Sequence, residues 1–273
     1  MTRWHFRRRA SESGKPLTQS IDASAIRREW LCEKSESEIN ALEITVDGLA
    51  VSLGDVFELS IASSEDTQIV IEGELDEVHG LGTLHDQGDF RIVGNAGHGI
   101  GSGMTGGTLS VDGDAGDYVG GPYGAHKVGM AGGVIKITGH VGSYAGHRMR
   151  RGVILVHGNA GQMLAASAVA GTICVGGHVG QYVAVGMKRG TIVLANSSGL
   201  VNQADEMGGT SSNRFSPPMR FDPAFLNLYR DPMFDEITLS LRQLPVFRTR
   251  ADRTVGGLGE VIFPAGAELA IDV

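Results

Sequence analysis

Cysteine, long apolar runs and the compact motifs of phosphate and hydrolytic chemistry are scarce or missing in this sequence. The two cysteines, Cys32 and Cys174, lie far apart without CxxC or metal-ligand spacing. Two thiols cannot cage an iron–sulfur cluster, and the pair reads as reduced thiols of a cytoplasmic protein. The apolar stretches are too short to span a bilayer, so no membrane role is expected. The basic start, Met1 to Arg9, is not followed by an apolar core, so no signal peptide is expected. GxxxxGK[ST], HExxH and GxSxG are all missing. Gly101-Ser102-Gly103-Met104-Thr105-Gly106 matches GxGxxG, but a strand is expected at Leu109 where a dinucleotide site needs a helix. A net charge of −8 argues against indiscriminate nucleic-acid binding.

Glycine, by contrast, is abundant: 41 of 273 residues, twice the usual share of roughly 7%. The excess gathers between Gly94 and Gly199 and is ordered by a repeat. Strands are predicted at Phe90–Val93, Leu109–Asp112, Ile135–Thr138, Ile154–His157, Ile173–Gly176 and Ile192–Ala195. Each step is 19 residues except one of 26, whose seven extra residues fit at Pro122–Val128. A Gly-x-x-Gly turn follows five of these strands, from Gly94/Gly97 to Gly177/Gly180. A weaker unit precedes them at Ile69–Gly73, and another is expected near Phe57–Ile61.

One 19-residue unit cannot bury its own apolar face, whereas stacked units can. Phe90, Leu109, Ile135, Ile154, Ile173 and Ile192 form one inward column, and Ile92, Val111, Ile137, Val156, Val175 and Leu194 a second. Each buried rung is worth roughly 1.5–3 kcal/mol. Met104, Met130, Met149, Ala168 and Met187 make a third column that reads as core filler, because thioethers without Cys or His partners are poor evidence for a metal. The predicted fold is mainly β: a single-stranded parallel β-helix, or solenoid, of 19-residue coils. An N-terminal extension is assigned to 1–45, the repeat to 46–200 and a C-terminal docking or capping segment to 201–273.

Two outward features invite partners. The second strand position turns from Arg91, Ser110 and Lys136 to Leu155, Cys174 and Val193, an apolar face that a partner protein or the chain's own C-terminal region should cover. Arg148, Arg150 and Arg151 end one unit, and Lys188 and Arg189 end the unit two later. Arg151 shares a column with Arg189, and Arg150 with Lys188. The result is a basic stripe on an acidic chain, expected to be either ordinary solvated surface or a contact for an anionic carrier or acidic partner. Asn95, Asp114, His140, Asn159, His178 and Ser197 share a column that reads as a polar corner and not as a ligand set.

Beyond the repeat, a short helix is expected within Ala23–Glu33 and a linker at Asn202–Pro218. Asp222-Pro223 should start a helical turn carrying Phe225, Leu228 and Tyr229. A helix or strand is expected at Asp235–Leu244, and a strand at Glu260–Phe263. Seven of the sixteen aromatics lie between Phe215 and Phe263, as suits a docking segment.

The units Gly139-His140-Val141-Gly142 and Gly177-His178-Val179-Gly180 resemble the glycine-repeat domain shared by glutamate synthase and the C-type chain of formylmethanofuran dehydrogenase. The resemblance implies a right-handed β-helix, a handedness that the columns themselves do not supply. The tail Thr254–Glu260 and the chain length are similar to the formylmethanofuran dehydrogenase family. It includes archaeal molybdenum or tungsten enzymes and the formyltransferase/hydrolase complex of methylotrophic bacteria. Eighteen arginines against five lysines favour the bacterial branch. The resemblance implies a non-catalytic structural component beside hydrolase-like and formyltransferase partners. Formyl-tetrahydromethanopterin would there become formate by way of a methanofuran-like carrier, with no cofactor held by this chain alone. The corresponding chain of the metal-dependent dehydrogenase is the alternative. A left-handed acyltransferase helix conflicts with the 19-residue period, and an exported adhesin with the missing signal.

Overall fold

The computed structural model describes residues 1–10, 19–196, 214–227 and 230–265. Its strands are β1 (Thr2–Arg8), β2 (Ile21–Asp22), β3 (Glu43–Val46), β4 (Leu49–Ser52), β5 (Phe57–Ser63), β6 (Gln68–Glu72), β7 (Val78–His79) and β8 (Asp89–Val93). They continue as β9 (Thr108–Asp112), β10 (Ala131–Ile137), β11 (Arg151–Val156), β12 (Thr172–Val175), β13 (Thr191–Leu194), β14 (Met219–Phe221), β15 (Val246–Ala251) and β16 (Gly259–Pro264). Short helices α1 (Arg28–Leu31), α2 (Glu36–Asn40) and α3 (Leu53–Val56) come early; α4 (Pro232–Ile237) and α5 (Leu239–Gln243) come late.

Twelve strands form one sheet in the order β14-β15-β16-β13-β12-β11-β10-β9-β8-β6-β1-β5. Pairing is parallel from β1 through β16 and antiparallel at β1–β5, β15–β16 and β14–β15. A second sheet, β4-β3-β2-β7, has four strands. This corrects the expected single-stranded right-handed parallel β-helix: the architecture is a mixed sheet with antiparallel pairs at both ends, plus a small separate sheet. Between the strands, the described turns meet through isolated bridges, Ala96 to Ala115, Val141, Ala160 and Val179 in succession, and through further backbone hydrogen bonds from turn to turn. The period in the sequence reports the parallel middle and is silent about the aperiodic flanks. Phe57–Ile61 is accordingly no early repeat unit but part of antiparallel β5. The N-terminal residues Thr2–Arg8, expected as an extension, are the strand between β5 and β6.

The register follows the 19-residue spacing, Ile154 opposite Ile173 and Ile173 opposite Ile192. The seven-residue insertion leaves it intact, since Lys136 still pairs with Ser110. Both aliphatic columns and the Met104–Met187 column are buried in one core.

Two polar ladders climb the turns beside this core. Asn95, Asp114, His140 and Asn159 each accept a hydrogen bond from the backbone N–H of the next residue in the column, at 2.7–3.0 Å. His79, His98 and Asp117 do the same toward His98, Asp117 and Ser143 at 2.6–2.9 Å. The side chains reach those donors through space left by the Gly-x-x-Gly glycines. A Cβ on Gly158 would stand 2.5 Å from the Gly139 carbonyl oxygen and collide with the His140 ring.

The C-terminal segment folds back along the sheet. Asp231 caps α4, accepting from the Met233 and Phe234 N–H groups, and its other oxygen pairs with Lys136 at 2.5 Å. Phe234, Ile237 and Leu241 pack with Leu226 and Val246 onto Leu155, Cys174 and Val193. Ala224–Asn227 is a single 3-10 turn; Leu228, Tyr229, Ser197 of the polar corner, residues 202–213 of the linker expected at Asn202–Pro218 and the boundary at 200/201 lie outside the described residues. Asp252 anchors the far end, accepting from the Gly186 N–H at 2.9 Å and from the Thr254 hydroxyl at 2.6 Å, with Arg214 at 3.4 Å. Burial opposes its ionisation, but these donors prevail and hold its carboxyl below the ordinary aspartate value.

Three measurements test this packing. Gly158→Ala should lower the unfolding free energy by about 1–3 kcal/mol in chemical denaturation, because the Gly139 backbone as well as the His140 ring stands where the new methyl must go. Phe234→Ala should uncover Cys174, whose thiol burial pushes up and shields. Ellman's reagent should then titrate two thiols in the variant where the native chain offers only exposed Cys32. Acid should destabilise the fold. Burial lowers the affinity of His79, His85 and His147 for protons in the native state, so the unfolded chain binds more. That stability is complete above the unfolded value near 6.5 and is lost as pH falls below it. Thermal melts between pH 7.5 and 5.5 should show a falling midpoint.

Candidate interaction surface

The sequence stripe is brought together as its columns predict. The Arg150 N–H donates to Met130, Val169 to Met149 and Lys188 to Ala168, each at 2.8 Å, so Arg150, Val169 and Lys188 follow one another in register. Arg151, Ala170 and Arg189 follow beside them. Arg148 precedes this corner with a left-handed backbone, φ 53°, and donates its N–H to the Ala166 carbonyl. Arg148, Arg150, Arg151, Lys188 and Arg189 are all exposed. None of the five is paired with a carboxylate among the described residues.

An aromatic column adjoins the stripe. Tyr118, Tyr144, Met163 and Tyr182 occupy successive turns, joined by backbone hydrogen bonds from Tyr118 to Ser143, Tyr144 to Gln162 and Met163 to Gln181. All four have φ of 60–63°. The Tyr118 and Tyr144 rings stack at 4.9 Å, and His147 meets both edge-on. His147 holds its ring by donating Nδ1–H to the Ala166 carbonyl at 2.9 Å, and Arg148 is the next residue. Residue type alone does not mark this column, because tyrosine seldom adopts a left-handed backbone. Its signal in the sequence is the recurrence of tyrosine two residues after the turn glycine: Gly116 to Tyr118, Gly142 to Tyr144 and Gly180 to Tyr182.

The second expected surface is closed. Leu155, Cys174 and Val193 have no accessible area, and their cover is the chain's own α4 and α5. The chain itself therefore covers these three residues.

His79, His98 and His140 act as acceptors in the polar ladders. Their Nδ1 atoms face backbone N–H groups, so these nitrogens carry no proton. Among the described residues, no group of three His, Cys, Asp or Glu side chains is placed to hold a metal ion. No described helix is long and apolar enough to cross a membrane.

No family model matches the sequence, and no curated protein matches it. A solved structure does. It is a chain of the formyltransferase/hydrolase complex FhcABCD from Methylorubrum extorquens, determined in complex with methylofuran. The two align with a TM-score of 0.72 and 30% sequence identity, over 96% of this chain and 100% of that one. The protein therefore belongs to the same family as that component of the formyltransferase/hydrolase complex.

Proposed function

We propose that this chain is the C-type structural component of a cytoplasmic formyltransferase/hydrolase complex in one-carbon metabolism. The observation that carries this reading is the alignment along the full length of one component of such a complex, not over an isolated repeat. In this reading the chain supplies no catalytic group and holds no cofactor alone. Hydrolase-like and formyltransferase partners carry formyl groups from formyl-tetrahydromethanopterin to a methanofuran-like carrier and release formate. Arg148, Arg150, Arg151, Lys188 and Arg189 are the contact for an anionic element of that assembly. The contribution of the chain is position: a stack held in register by its turn ladders gives the partner chains a fixed separation.

The test is a native-mass census of the complex purified from the protein's own cells. Hydrolase and formyltransferase chains should accompany this one, and the preparation should convert formyl-tetrahydromethanopterin to formate only when the carrier is present. Molybdenum or tungsten with iron–sulfur chains would replace this reading with the dehydrogenase. A chain that runs alone would remove it.

A further inference from the structure

The charge of this chain is segregated. Between Asp117 and Asp205 the sequence contains no aspartate or glutamate, yet it holds seven lysines and arginines. The chain as a whole carries −8, so the excess of acid lies outside this span.

The cationic span meets counter-charge on one side only. Over the strand face, the C-terminal segment brings Asp231 to Lys136 at 2.5 Å and Glu236 to His157 at 3.3 Å. Over the turn face, the five cations of the stripe have no described carboxylate partner. The same face carries Tyr118, 42% exposed, stacked on Tyr144, and Val169, 36% exposed, between the two basic corners.

We propose that this turn face docks an acidic protein surface, that of a partner chain in the assembly; this rests on the membership reading above. Tyrosine and arginine are enriched, and acidic residues depleted, where protein surfaces bury one another. A small linear polyanion fits less well. Its charges would need a continuous cationic track, but Val169 and Ala170 interrupt the stripe between Arg150–Arg151 and Lys188–Arg189. An apolar step between charged corners gains from burial only under a partner that brings apolar area of its own. The expected partner patch is therefore ringed by carboxylates around an apolar centre. Steering by the unmatched charge should make its association fast and salt-sensitive.

The full chain should be produced with its partner chains, and assembly read by native mass spectrometry and by sedimentation at several salt concentrations. Arg148→Glu/Arg151→Glu/Arg189→Glu should weaken assembly by roughly 100-fold or more, while the triple Lys variant retains most of it. Tyr144→Ala should weaken it about 10-fold. Circular dichroism melts of every variant guard against a folding defect. Native-like assembly of a folded charge-reversed chain would overturn the proposal. So would loss of binding to poly-L-glutamate with assembly unchanged, which would give the face to an anionic chain instead. A wild-type chain that joins no partner at all would overturn the membership reading and this docking face together. A wild type that assembles beside a reversed variant that also assembles would overturn the docking face alone.

Discussion

Each polar corner residue accepts a hydrogen bond from the backbone one repeat further on, and it reaches that N–H only because the neighbouring glycine has no Cβ. The contact at Asp114, where the carboxylate meets the His140 N–H at 2.7 Å past Gly139, is representative. It fixes the rise between turns and thereby the register in which Ile154 faces Ile173. Without that register the aliphatic columns would not close into one core. A side chain that reaches the next turn also satisfies a turn donor that would otherwise need water. Glycine content, strand pairing and core burial are thus three views of one packing constraint.

The same constraint separates the roles of the faces. Inward positions are taken by aliphatic rungs and turn positions by ladder acceptors, so only the remaining outward columns are free to vary. On the strand side that freedom was used to seat the chain's own α4 and α5. On the turn side it carries tyrosines and cations. The contrast between a self-covered face and an open, charged one is what gives the molecule a direction for contact.

Much of the middle was legible in the sequence because it repeats. The two aliphatic columns, the methionine column and the Arg151–Arg189 alignment all followed from counting in nineteens. The two ends of the sheet were not legible. β1, β5, β15 and the small sheet around β3 obey no period, and their antiparallel partners lie up to roughly 60 residues away in the chain, where local pattern carries no information. The cover over Cys174 was half legible: an apolar run of Leu155, Cys174 and Val193 demands burial, but whether the occupant is internal depends on how the chain returns after β13. The tyrosine column escaped because side-chain type alone does not report a positive φ.

The seven-residue insertion at Pro122–Val128 enters a turn without disturbing the pairing of Lys136 with Ser110. Variation in the turns is therefore uncoupled from length along the stack. Such a fold can acquire or lose surface ornament over evolutionary time while every other position keeps its distance from the rest, rather as beads can be added around a ruler without moving its graduations.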